Sequence, residues 1–306
     1  MTDQKNSNPN LEGQKSKKVT LIGLGPMGLA MGNAFLNKGY ELTVWNRTLS
    51  KADELAAKGA FKASSVTEAL ETNELVILSL TSYDAMYSIL EPAAASLQGK
   101  VIVNLSSDTP HKAREAAKWL AGHGAIHITG GVQVPPSGIG SLESFTFYSG
   151  PREVFEANKK TLEVLTSTDY RGEEPGLAAL YYQLQMDIFW TSMVSYFHAI
   201  AVAKKNGITA EEFLSTASGI TAALPQFIQF YTPRIDADEH PGDVDKLSMG
   251  VASVEHVFHT TEEAGVDASL PAAVLELFKR GMQEGYHNNS FTSIIKVLEK
   301  QETASL

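Results

Sequence analysis

The sequence predicts an α/β domain with a doubly wound, mostly parallel sheet, then a long interdomain helix and an all-α second domain. Three observations predict it. A glycine-rich turn, Gly23-Leu24-Gly25-Pro26-Met27-Gly28, sits directly between a short apolar strand and a helix. Strand patterns then alternate with helical ones, the signature of a parallel sheet covered on both faces. After Gly176 no strand pattern follows, and the chain reads as helices punctuated by Gly207, Pro233, Pro241, Gly265 and Pro271.

Taken in order, the polar segment 1–17 lacks the apolar stretch of a secretory signal and reads as a disordered tail. Lys18–Ile22 is the first strand, and a helix runs from the glycine turn to about Lys38. Glu41–Trp45 alternates as the second strand. Further strands are expected near Glu74–Leu80, Lys100–Leu105, Ala125–Thr129 and Ser144–Tyr148, with a short last one near 168–171. These make a dinucleotide-binding domain over 18–176. The interdomain helix spans 177–205. The helical domain, 206–306, is expected to hold helices near 209–219, 222–235, 244–264, 269–284 and 290–300.

Composition narrows the function classes. The chain has 306 residues, enough for two cores, and a net charge of −10. That charge argues against a nucleic-acid partner and against an anionic membrane surface. With no cysteine, disulfides, thiolate metal ligands and a cysteine nucleophile are all excluded, as suits a cytoplasmic protein. The run 177–203 is long enough to span a bilayer. It contains Gln183, Gln185, Asp187 and His198, however, all costly in hydrocarbon, so a helix buried by protein is the better reading. Such a helix needs more apolar cover than the remaining helices of one chain provide, which predicts a homodimer with interleaved helices.

The glycine turn is read as a pyrophosphate site. Gly23 permits the turn, Gly25 lets backbone approach the phosphates, and Gly28 lets helix and strand pack closely. Pro26 and Met27 open the helix whose N-terminus faces the anion. The second strand ends in Asn46-Arg47-Thr48, with Lys51 one turn on. An NAD site wants a carboxylate here for the ribose diol. An amide, a guanidinium and a hydroxyl suit a 2′-phosphate instead, so the cofactor is NADPH. Leu80-Thr81 and Asn104 to Pro110, with Asn104 and Ser106 foremost, lie at two later strand ends that face the same crevice. Thr109 also suits a simple helix cap before Pro110.

Asp187 is the only formal charge between Leu177 and Ala203, flanked by Leu184, Met186, Ile188, Phe189 and Trp190. An unpaired buried carboxylate costs several kcal/mol or more, so Asp187 is a candidate catalytic group. The other reading is a structural ion pair. His256 and His259 share a helical face without a visible third ligand, and no metal site is assigned. Ser107, Val132, Trp190, Phe230 and His256 are candidates for the substrate pocket.

Gly23 to Met31 resembles the opening of the β-hydroxyacid dehydrogenase superfamily. Those enzymes typically carry a catalytic lysine on the long helix. Here that helix has none before Lys204 and Lys205 at its far end. The resemblance is closer to the imine reductases. It is carried by Glu174-Pro175-Gly176-Leu177 through Asp187-Ile188-Phe189-Trp190-Thr191, by Gly131-Val132-Gln133-Val134-Pro135-Pro136, by Gly265-Val266-Asp267, and by Ser290-Phe291-Thr292-Ser293-Ile294-Ile295. This resemblance implies NADPH-dependent reduction of C=N bonds in cyclic imines or iminium ions, and in some members the coupling of ketones with amines. It implies a domain-swapped homodimer and a proton-donating or iminium-anchoring role for Asp187. Ser107 stands where some reductive aminases have asparagine. The alternatives are a 3-hydroxyisobutyrate-like dehydrogenase and an NADPH-binding sensor without turnover.

Overall fold

The computed structural model describes residues 17–300, so the expected tail, Lys17 apart, lies outside the described residues. Eight strands form one sheet: β1 (Lys18–Ile22), β2 (Glu41–Trp45), β3 (Phe61–Lys62), β4 (Leu75–Leu78), β5 (Val101–Asn104), β6 (Ile126–Val132), β7 (Ser141–Ser149) and β8 (Thr166–Gly172). Their order is β3-β2-β1-β4-β5-β6-β7-β8. Pairing is parallel throughout except between β6 and β7, where Thr129 faces Ser149 and Val132 faces Thr146. The predicted doubly wound, mostly parallel sheet is therefore present. β3 escapes the sequence pattern because two residues carry no periodicity.

Helices α1 (Pro26–Asn37), α2 (Asp53–Ala57), α3 (Val66–Thr72), α4 (Tyr83–Leu90), α5 (Pro110–Gly122) and α6 (Arg152–Leu162) cover this sheet. The central strand β4, with a helix-covered core on each face, is apolar at every residue. In β4, Leu75 and Ile77 join one core with Phe35, Val44 and Phe155. Val76 and Leu78 join the opposite core with Tyr83, Met86 and Leu120.

The remaining helices are α7 (Leu177–Lys205), α8 (Ala210–Asp236), α9 (Leu247–Glu263), α10 (Ser269–Gln283) and α11 (Ile294–Leu298). Thr209 opens α8 with a capping box to Glu212. The two helices expected at 209–219 and 222–235 are one, α8, which continues through Pro225 and Pro233. Proline deletes one backbone donor each time, and the helix tolerates this because α8 is largely exposed and its flanking turns are intact.

The chain divides into two compact units, one ending at Asp187 and the other beginning at Ile188. The division falls inside α7, because the first turns of that helix are fastened to the sheet domain. Ala178 and Ala179 are buried there, Ser149 Oγ accepts from the amide of Ala178 (3.0 Å) and donates to the carbonyl of Pro175 (2.9 Å), and Arg114 pairs with Glu174. In the second unit the middle of α7 and much of α8 keep their apolar side chains exposed, including Ile188 at 65% and Trp190 at 60%. Sequence reading expects α7 to be buried by protein. In the chain by itself it is not.

Candidate active site

Two glycines of the turn, Gly23 and Gly28, hold positions that no side chain permits. Gly23 has a φ of +96°, and a Cβ there would lie 2.3 Å from the carbonyl oxygen of Ser79. A Cβ on Gly28 would lie 2.0 Å from the carbonyl oxygen of Gly23, so helix and turn close against each other only without a side chain. At Gly25 the same construction meets nothing within 4 Å. Gly25 caps α1 without a side-chain hydrogen bond, and Pro26 stands at its first turn. The turn thus presents bare backbone and a helix N-terminus to open space, the cradle that a pyrophosphate requires.

Gly23, Gly25, Asn46, Arg47, Thr48, Lys51, Leu80 and Thr81 line one cleft in the first unit, together with Leu24, Trp45, Ala85, Ser88 and Ile89. Within it Asn46 plays a structural part. Its Oδ1 accepts from the Leu24 amide (2.9 Å) and its Nδ2 donates to the Thr48 carbonyl (3.0 Å). Asn46 therefore braces the glycine turn where a carboxylate would receive ribose hydroxyls. Arg47, Thr48 and Lys51 are exposed at the cleft mouth, a cationic and hydroxylic set that fits a 2′-phosphate.

Asn104 and Ser106 are buried behind this cleft rather than lining it. Asn104 Oδ1 accepts from the Ser106 amide (3.0 Å), and Ser106 Oγ accepts from the Leu80 amide (3.0 Å). They tie the loop after β5 to the loop after β4, so their side chains hold the wall behind the cleft. Asp108 adds a further tie, its Oδ2 accepting from the Tyr83 amide (3.2 Å) and its Oδ1 from the Thr109 amide (2.8 Å). Thr109 is the expected helix cap, accepting from Lys112. Ser107 between them is exposed.

Asp187 lies exposed on α7 in the single chain, with Leu184 and Ile188 exposed beside it. The expectation of a carboxylate sunk in an apolar wall is not met within one chain, because the apolar side chains on either side of Asp187, Leu184 and Ile188, are themselves exposed. Val132 ends β6 and is half-buried at the margin of the sheet core. Trp190, Phe230 and His256 belong to the second unit. Trp190 is stacked edgewise on Phe189 (5.1 Å between centroids), and Phe230 lies under the Arg234 guanidinium at 4.4 Å. His256 is exposed on α9.

Beneath the loops, His127 is fully buried beside Tyr83, the rings 6.2 Å apart and edge-on. Desolvation lowers its pKa to about 4 and raises that of the Tyr83 hydroxyl. Nothing in the local pattern marks His127 as interior, so this pair has no sequence signal.

Fold and cleft together define a dinucleotide-dependent oxidoreductase with a helical second domain. Comparison with known proteins sharpens this. Residues 18–172 match the model of the NAD binding domain of 6-phosphogluconate dehydrogenase, and residues 174–300 match the NADPH-dependent reductive aminase-like C-terminal domain. The NADPH-dependent reductive aminase of Aspergillus oryzae is 30% identical over 285 residues, 92% of this chain and 97% of its own. The imine reductase structure from Bacillus cereus BAG3X2 is 67% identical, with a TM-score of 0.89 over 93% of this chain and 99% of that one. The Aspergillus terreus reductive aminase, solved with NADPH and ethyl levulinate, is 30% identical with a TM-score of 0.88 over 93% of this chain and all of that one. The chain belongs to the imine reductase and reductive aminase family.

Proposed function

We propose that this chain reduces C=N bonds of cyclic imines or iminium ions with NADPH, and that Asp187 is the group serving the nitrogen end of that bond. One observation carries the assignment: the helix leading out of the cofactor domain presents Asp187 and no lysine over its whole apolar length, 177–203. Alcohol chemistry on this scaffold would call for a cationic group at that helix, whereas a carboxylate suits a substrate whose nitrogen becomes positively charged.

Bound NADPH supplies a hydride. The protein's part is to hold the cofactor, orient the C=N bond and provide for the nitrogen. The glycine turn takes the pyrophosphate, and Arg47, Thr48 and Lys51 take the 2′-phosphate. Reduction adds a hydride at carbon and a proton at nitrogen. Asp187 serves the nitrogen by giving that proton or by holding the cation, a contribution on the order of 10²–10⁴-fold for a general acid. Ser107, Val132, Trp190, Phe230 and His256 are proposed as pocket residues, with the aromatic faces favouring iminium charge.

The reading includes a homodimer, supported by the apolar side chains that α7 and α8 leave exposed, Ile188, Trp190, Phe197, Ile220, Phe227 and Ile228 among them. No helix among the described residues is long and apolar enough to cross a membrane. A cysteine-free chain is compatible with the cytoplasm, which is proposed as its setting.

The test is NADPH oxidation with 1-pyrroline or 2-methyl-1-pyrroline, followed at the nicotinamide absorbance. Turnover of these imines without oxidation of 3-hydroxyisobutyrate is the expected result. Tight NADPH binding with no oxidation across an imine panel would identify a sensor and overturn the assignment.

A further inference from the structure

Gln183 is one of the polar residues that make α7 unfit for a membrane, and binding of the cofactor and substrate leaves it without a role. It stands one helical turn ahead of Asp187, so the two share a face about 6 Å apart along the axis. Gln183 is half-buried, and its Nε2 donates to the backbone carbonyl of Asp108 at 3.0 Å. That carbonyl belongs to the loop at the carboxyl end of β5, the edge where ligands bind in sheets of this kind. The loop is itself immobilised: the Asp108 carboxylate holds the amides of Tyr83 and Thr109, and Ser106 holds the amide of Leu80.

We infer that Gln183 is a positioning residue for the reduction, fixing the Asp187 turn of α7 against the loop that carries Ser107. The inference rests on the reading of Asp187 as the group that serves the substrate nitrogen. Three geometric facts support it. The start of α7 is already anchored through Ala178, and a Cβ on Gly131 would lie only 3.0 Å from Cβ of Tyr182, so helix and sheet are in close contact there. Beyond Gln183 the helix runs out into exposed residues, Leu184 at 54% and Ile188 at 65%. Gln183 thus joins the fastened part of the helix to the turn that presents the carboxylate. Its amide is also suited to donation: a carboxylate of the same shape would set a negative charge against the Asp108 carbonyl, and a leucine would leave that carbonyl without this donor.

A displacement of about 1 Å at a reacting group costs on the order of 100-fold in rate. Gln183→Leu is therefore expected to lower kcat on 2-methyl-1-pyrroline by about 10- to 100-fold, with the NADPH Kd within about twofold and KM little changed. Gln183→Glu should behave like Gln183→Leu. The discriminating measurement is a double-mutant cycle with Asp187→Asn. Because Gln183 acts through Asp187, adding Gln183→Leu to Asp187→Asn should lower kcat by less than about twofold more. Multiplicative losses in the double variant would overturn the inference. So would unchanged kcat in Gln183→Leu, or a kcat loss matched by equal losses of NADPH affinity and thermal stability, which would mark a structural clamp. Should Asp187→Asn alone keep wild-type kcat, the reading of Asp187 falls with it, an outcome distinct from failure at Gln183 alone.

Discussion

Replacing Arg47 by glutamate tests the cofactor assignment where the cleft meets solvent. Asn46 is occupied with the Leu24 amide and the Thr48 carbonyl, so recognition of a 2′-phosphate is proposed for Arg47, Thr48 and Lys51. All three are exposed, and solvent weakens each contact relative to a buried one. Loss of one charge-assisted contact costs about 1.5 kcal/mol at such a site, and the new like charge adds about 1 kcal/mol. The sum, about 2.5 kcal/mol, raises the NADPH Kd by roughly 70-fold. NADH lacks the phosphate, and its Kd should stay within about twofold. The assay is titration of nicotinamide fluorescence with each cofactor, repeated at raised salt, where the gap between wild type and variant should narrow. Equal effects on both cofactors, or none on NADPH, would refute the assignment.

Further predictions follow from the same structure. Gly28→Ala places a methyl 2.0 Å from the Gly23 carbonyl oxygen, so unfolding titration should show a loss of about 3 kcal/mol together with weaker NADPH binding. His127 is neutral in the fold down to about pH 4, while in the unfolded chain it takes up its proton near pH 6.5. The unfolded state therefore binds more protons between these values, and stability should fall as pH falls. From about pH 7 to pH 5 the loss is about 2 kcal/mol in urea titrations, and His127→Gln should remove that part of the slope. Light scattering should give a dimer. Ile188→Asp, which puts a charge on the exposed apolar side of α7, should give monomers with impaired turnover, and a wild-type monomer would count against the dimer.

What is legible in the sequence is whatever depends on short-range pattern. The Gly23–Gly28 turn carries its meaning because strand and helix flank it, and the strands β1, β4 and β5 follow from short apolar runs between turn residues, β2 from its alternation. Pro233, read as punctuation between helices, misleads, since it lies inside α8 and its local cost is overridden by the rest of a long helix. The antiparallel turn of β7 is not legible, because strand direction depends on the connection and not on the strand's own residues. In the site, Asn46, Asn104 and Ser106 are legible as polar groups at strand ends, but their partners lie 22, 2 and 26 residues away, so their bracing role emerges only from the fold. The Gln183 contact to Asp108 spans 75 residues and has no local signal. For Asp187 the sequence marks a charge among apolar neighbours, yet those neighbours are uncovered in the single chain.

The central claim is that Asp187 serves the substrate nitrogen. Its most direct test is single-turnover reduction of 2-methyl-1-pyrroline by preformed NADPH complexes of wild type and Asp187→Asn. The account predicts a rate lower by about 10²–10⁴-fold with an unchanged NADPH Kd. A rate within about threefold of wild type, with the cofactor equally bound, would contradict it.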